Sequence, residues 1–209
     1  MRLMTTAFAD GLRIPGEFAF CIADPAAHIR PGDNRNPDFA WADLPRGTQS
    51  LALICHDPDV PSRSDDVNKE GRTVAATLAR VSFFHWVLVE LAADAVPIAR
   101  GEFSDAVTAR GKPGPAAARG ARHGLNDYTG WFAGDKDMAG NYFGYDGPCP
   151  PWNDEILHHY VFTLYALDVP RLGVHGTFGG ADVLAAIEGH VLEKAALTGC
   201  YSLNPALRT

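Results

Sequence analysis

"SLALICHDPDVPSR", Ser50 to Arg63, opens with a run that is apolar on both parities and closes with two carboxylates, Asp57 and Asp59, interleaved with Pro58 and Pro61. A strand with one wet face alternates polar and apolar residues. Ser50 to His56 does not, so it reads as a strand buried on both faces. Asp57 and Val60 each precede a proline, whose ring pushes the preceding residue out of the helical region, and the stretch reads as a stiff exit from that strand. A stiff exit can hold a side chain steady. A solvated acidic turn, for which Asp and Pro are equally favoured, is the plainer alternative.

Two further segments share the both-parity pattern: "VSFFHWVLVEL", Val81 to Leu91, and "HHYVFTLYALDV", His158 to Val169. With Pro and Gly recurring between them, the pattern favours a mainly β chain, a β-sandwich or partly closed barrel, over a doubly wound α/β fold. One helix is expected from about residue 180 to 195, where Val183, Leu184, Ile187, Val191, Leu192 and Ala195 recur at helical spacing. Asp182 suits its positive end, Lys194 its negative end, and Gly199 lies just beyond as a stop. "LTGCYSL", Leu197 to Leu203, reads as a closing strand. Residues 109–124, rich in Gly, Pro and Ala, read as a mobile excursion. The aromatics Trp131, Phe132, Tyr142 and Phe143 in the following Gly-punctuated stretch need cover, from the body of the protein or from a second subunit.

The chain has 209 residues, 46% hydrophobic and 21% charged, which is ordinary material for one domain spanning 1–209. Eighteen Lys and Arg against twenty-five Asp and Glu leave a net charge of −7 with no basic stripe, which argues against nucleic acid and anionic membrane surfaces as partners. No apolar leader or membrane span is evident, so a cytoplasmic protein is expected. Cys21, Cys55, Cys149 and Cys200 form no C-x-x-C pair, and reduced thiols are expected in that compartment.

Histidine placement carries the chemistry. His85 sits in step with Phe83, Val87 and Val89, and His158 begins a strand in step with Tyr160, Phe162 and Leu164, so both rings should lie against apolar surface. A buried imidazole needs partners for its nitrogens, and Asp57 or Asp59 can accept from one of them. The other six histidines lack such company. "GYDGPCPPW", Gly144 to Trp152, adds a loop in which Pro148, Pro150 and Pro151 fix the backbone, a wall suited to a preformed ligand site.

Taken in order, "FADGLRIP", "PDFAWADLPRGTQSLALICHDPDVP", "FFHWVLVEL", "GLND", "GYDGPCPP", "LHHYVFTLYALD" and "IEGHVLEKAALTGCY" resemble the phosphatidylethanolamine-binding proteins, in the bacterial branch often labelled Raf kinase inhibitor-like. The resemblance implies a β-sandwich of antiparallel sheets with a few flanking helices, one near the C-terminus. It also implies a small anion pocket for phosphate, acetate or a phosphoryl head group. Carried over by position, that pocket would be lined by Asp57, Asp59, His85, Gly147, Pro148, Cys149, Pro150, His158 and Tyr160. The family commonly has Arg between the pocket His and Tyr, where this chain has His159, and it carries extra residues between "GLND" and "GYDGPCPP".

The function expected is therefore small-ligand binding, phospholipid-binding-like, with a role as regulator or inhibitor of a protein partner suggested by the family label, and with no cofactor. An enzyme is not expected, since no G-x-S-x-G, H-E-x-x-H, Walker or G-x-G-x-x-G motif occurs. A metal site built from His85, His158 and Asp57, or a cryptic His/Asp hydrolase, is the alternative. Family habit and the aromatic segment suggest a homodimer. Because His158 begins its strand, its truncation is expected to weaken phosphate binding while leaving the fold intact.

Overall fold

The computed structural model describes residues 1–207. Its strands are β1 (Arg2–Met4), β2 (Cys21–Asp24), β3 (His28–Pro31), β4 (Ala40–Ala42), β5 (Ser50–Pro61), β6 (Arg80–Ala92), β7 (Arg122–His123), β8 (His158–Leu167) and β9 (Val191–Tyr201). The α-helices are α1 (Tyr128–Trp131) and α2 (Gly180–Ala186). An antiparallel sheet of order β7-β6-β5-β8-β9 is accompanied by two-stranded β1-β4 and β2-β3 sheets.

The both-parity apolar runs have the expected cause. From β5, Leu51, Leu53 and Cys55 face the larger core beneath the small sheets, while Ala52 and Ile54 face a second core completed by Phe178 and Val183 of the α2 region. β8 divides in the same way, with Tyr160, Phe162, Leu164 and Ala166 on the larger core and Leu167 on the smaller. A sheet covered on both faces demands apolar residues at every position.

Several expectations are corrected. The acidic exit from β5 remains strand to Pro61, bulged between Asp57 and Val60, and a bulge tolerates the missing proline N–H. The helix near residue 180 ends at Ala186; Gly189 takes a left-handed φ of 79°, and Val191 begins β9. Asp182 does stand at the helix start, accepting the Gly179 N–H at 2.8 Å, but Lys194 lies in a strand opposite Tyr165. The physical reason is β8: without β9 along its length, from His158 opposite Tyr201 to Leu167 opposite Val191, its edge would expose a row of unpaired backbone groups. That pairing outweighs the helical spacing of Val191, Leu192 and Ala195.

Residues 109–124 are pinned rather than left as a mobile excursion. Lys112 Nζ lies 2.6 Å from the buried Asp146 carboxylate, and Arg119 pairs with Glu102 at 2.6 Å. Gly114 packs so closely on Phe143 that a Cβ there would fall 2.3 Å from its ring. The cysteines differ too: Cys21 and Cys149 form a disulfide, while Cys55 and Cys200 are free and buried. A separation of 128 residues hides that pair from any spacing rule, and folding brings the start of β2 against the proline loop, where the Cys21 N–H donates to the Pro148 carbonyl.

Candidate functional site

His85 owes its position to a bulge. Cys55 pairs with Trp86 and His56 with Phe84, so β6 carries one extra residue there, and His85 and Trp86 both turn toward the larger core. Simple alternation had placed His85 with Val87 and Val89, but those valines face the smaller core. The His85 ring instead meets Phe83, Tyr128 and Tyr160. Its Nδ1–H donates to the Asp146 carbonyl at 2.7 Å, and the Asp146 N–H returns a bond to the His85 carbonyl at 3.0 Å. Burial pushes the His85 pKa down to about 4, against the pull of Asp57 and of the Asp146 and Gly147 carbonyls, so the ring is neutral at pH 7.

His158 lies in the opposite electrostatic state. Nδ1 is 2.7 Å from Asp57 Oδ2 and Nε2 is 3.2 Å from Asp154 Oδ2, with the three side chains buried together. Asp154 in turn is held bidentate by Arg80, at 2.6 and 3.0 Å, and Arg80 also donates to the Asp59 and Ala75 carbonyls. Burial disfavours the imidazolium, but the hydrogen bonds to Asp154 and Asp57 outweigh it and raise the His158 pKa to about 9. Two carboxylates, one imidazolium and one guanidinium make a neutral chain. Burial alone would raise the Asp154 carboxyl, yet its bonds to His158 and Arg80 hold it below the usual carboxylate range.

These groups floor a cavity of about 160 Å³ lined by Asp57, His85, His158 and Tyr160. Phe20, Phe83, Tyr128, Trp131 and Phe132 form aromatic walls, the Cys21–Cys149 bridge with Pro150 and Pro151 forms one rim, and Arg63 stands on another side. The Tyr160 hydroxyl lies beside Asp57; burial first and that carboxylate second hold it protonated far above neutrality. Its proton is shared with Asp57, and a ligand oxygen that takes it competes with that carboxylate. The N–H groups of both imidazoles are committed to protein oxygens.

A sequence model described as "Phosphatidylethanolamine-binding protein" matches residues 4–202. The chain belongs to the phosphatidylethanolamine-binding protein family. Among its curated relatives, the UPF0098 protein YbhB of Escherichia coli is 29% identical over 202 residues, covering 97% of this chain and 100% of the relative. A UPF0098 protein of Methanothermobacter thermautotrophicus is 33% identical over 204 residues, covering 96% of this chain and 98% of that protein. In three dimensions the fold matches E. coli YbcL, described as "a new member of the mammalian PEBP family", with a TM-score of 0.68 at 22% identity over 96% of this chain and 97% of that one. A family homolog from Chlamydia trachomatis, CT736, aligns with a TM-score of 0.62 at 27% identity over 96% of each chain.

Of the residues carried over from the family, Asp57, His85, Cys149, Pro150, His158 and Tyr160 line the cavity. Asp59 does not. Its Oδ2 accepts the His159 N–H and Nδ1–H at 2.9 and 2.8 Å on the exposed side, so the histidine that stands where the family commonly has Arg is this carboxylate's partner. Gly147 and Pro148 sit behind the wall. The Gly147 carbonyl accepts the Tyr128 hydroxyl at 2.8 Å, its N–H donates to Asn34, and a Cβ there would fall 2.0 Å from the Phe18 carbonyl oxygen. Glycine is needed for that close approach. His158 is fully buried rather than open at a strand end, which removes the ground for expecting its truncation to leave the fold intact.

Sequence reading missed Asp154 and Arg80. The one local signal was a carboxylate four residues before His158; Arg80 reaches it only because β5, β6 and the approach to β8 converge. Most of the aromatic segment finds its cover within the chain: Tyr142 and Phe143 are buried, Tyr128 stacks on Phe20 and Phe132, and Phe132 meets Tyr142, while Trp131 lines the cavity with about half of its surface exposed.

Proposed function

We propose that this protein binds, without transforming it, a small ligand bearing a phosphoryl or carboxylate head. One observation carries the reading: a histidine, a tyrosine hydroxyl and a balanced Asp–His–Asp–Arg chain meet at the floor of a single aromatic-walled cavity. At about 160 Å³ the space is close to the ~150 Å³ that holds benzene in an engineered cavity, so it suits a head group and not acyl chains. Tyr160 supplies a donor, and Arg63 adds positive charge at the side of the cavity.

Hydrolysis is poorly supported. Ser64 lines the cavity, but among the described residues no hydrogen bond joins its hydroxyl to an imidazole. For the metal alternative, His158 would have to give up a carboxylate from one ring nitrogen, and among the described residues no group of three or more His, Cys, Asp or Glu is arranged to hold an ion. Regulation or inhibition of a protein partner belongs to the same proposal and rests on the family resemblance. So does a homodimer, for which Trp131 is the one aromatic of the Trp131 to Phe143 segment left exposed. No helix among the described residues is long and apolar enough to cross a membrane. The cytoplasm is the location proposed from sequence; the Cys21–Cys149 bridge weighs against it, because such bonds persist mainly in oxidising compartments.

Calorimetric titration with phosphoethanolamine tests the site. Losing one donor to a charged ligand costs about 1.5–3 kcal/mol, so Tyr160→Phe should bind roughly ten- to a hundredfold more weakly than the parent. Equal affinity would remove Tyr160 from the site. A folded parent that binds nothing would overturn the reading.

A further inference from the structure

Hydrogen bonding around His85 bears on which protonation state of an oxyanion the cavity accepts, provided that it is the anion site proposed above. Nδ1 lies 2.7 Å from the Asp146 carbonyl oxygen, an atom that can only accept, so Nδ1 carries a proton. In the neutral ring Nε2 then presents a lone pair. The groups packed around it do not change that state. On β5, Asp57 attracts a proton toward His85, but its two oxygens already accept from His158 Nδ1 and from the Asp59 N–H, each at 2.7 Å. On β8, the His158 imidazolium opposes protonation of His85, and Tyr160 is a neutral phenol. On α1, Tyr128 is a neutral phenol spent on the Gly147 carbonyl; in the proline loop, the Asp146 carboxylate is turned to Lys112, Asn34 and Asn126. Arg63 is the one cation among the cavity-lining residues besides His158.

We propose that His85 Nε2 selects by accepting a proton, which narrows the two heads considered above to the phosphoryl one: the cavity admits an oxyacid only when one of its oxygens carries a hydrogen, so phosphomonoesters bind as monoanions, and sulfate and ionised carboxylates are refused. A fully ionised oxygen at Nε2 would set two lone pairs against each other, with the Asp57 carboxylate close by. A P–OH in that place donates to Nε2, while Tyr160 donates to a second phosphoryl oxygen. A phosphomonoester has a second pKa near ~6 and is almost wholly dianionic at pH 8. Its binding at that pH therefore draws about one proton from solvent, which ends in the hydrogen bond between ligand oxygen and Nε2. Sulfate has no proton to offer near neutrality and cannot make that bond.

The test is calorimetric titration of the full chain with methyl phosphate and with sulfate at pH 8, each in two buffers of different ionisation enthalpy. The expected result is uptake of about one proton per methyl phosphate bound and sulfate binding at least about tenfold weaker. His85→Gln offers an amide N–H in place of the lone pair and should narrow the preference for methyl phosphate over sulfate and abolish the proton uptake. Methyl phosphate binding without proton uptake, or equal affinity for sulfate, would overturn the selection by His85 and leave the anion site standing. Binding of neither ion would overturn both.

Discussion

His158→Ala should destabilise the protein by about 3–5 kcal/mol, the cost of removing one member of a buried charged pair and leaving the other without its partner. The alanine would take from Asp57 the imidazolium 2.7 Å from its Oδ2, and from Asp154 one of its two cations. For a chain of this size the loss corresponds to a fall in Tm of roughly 6–20 °C. His159→Ala is the internal control. That ring also pairs with a carboxylate, Asp59 at 2.8 Å, but it is about half exposed, and exposed pairs contribute at most ~1 kcal/mol. Denaturant unfolding of the two variants beside the parent measures both. A His158→Ala loss no greater than that of His159→Ala would mean that the Asp57–His158–Asp154 chain does not hold the floor of the cavity together.

Stability should fall on either side of about pH 6.5, for opposite reasons. The folded-state pKa of His158 is raised to about 9, so its contribution is complete below the unfolded value near 6.5 and is lost as pH rises through 9. His85 and His123 are lowered to about 4, in both cases chiefly by burial, so their contributions are complete above 6.5 and are lost as pH falls toward 4. Each shift of a few units corresponds at most to ~3 kcal/mol. Tm recorded from pH 5 to 9 should therefore trace a dome, with the alkaline limb belonging to His158. A profile flat between pH 6.5 and 9 would show that the buried imidazole carries no proton in the folded state.

How far the site could be read from sequence follows from how local each cause is. Both-parity apolar runs mark β5 and β8 because a doubly covered sheet imposes a requirement on every residue in turn. His158 with Tyr160 followed from simple alternation along β8. The facing of His85 did not, because the extra residue in β6 is defined only by its pairing with Cys55 and His56. Likewise, Asp57 and Asp59 are indistinguishable in "HDPDVP", and only the bulge that turns one inward and the other toward His159 separates them. The Arg80–Asp154 pair and the Cys21–Cys149 bridge depend on contacts between residues 74 and 128 positions apart, and nothing in their immediate neighbourhoods announces them. Gly189 carried a usable local signal: a residue costing about 1 kcal/mol inside a helix marked the place where the helix had already ended.

The central claim, that a phosphoryl-bearing ligand occupies the cavity between His85 and Tyr160, is tested most directly by side-chain NMR of the intact protein during titration with methyl phosphate. The imidazole nitrogens of His85 and the indole N–H of Trp131, both lining the cavity, should shift together and saturate at one ligand per chain, while exposed His190, paired with Asp168 elsewhere, stays in place. Saturable shifts confined to residues outside the cavity, or none at all up to millimolar ligand, would contradict it.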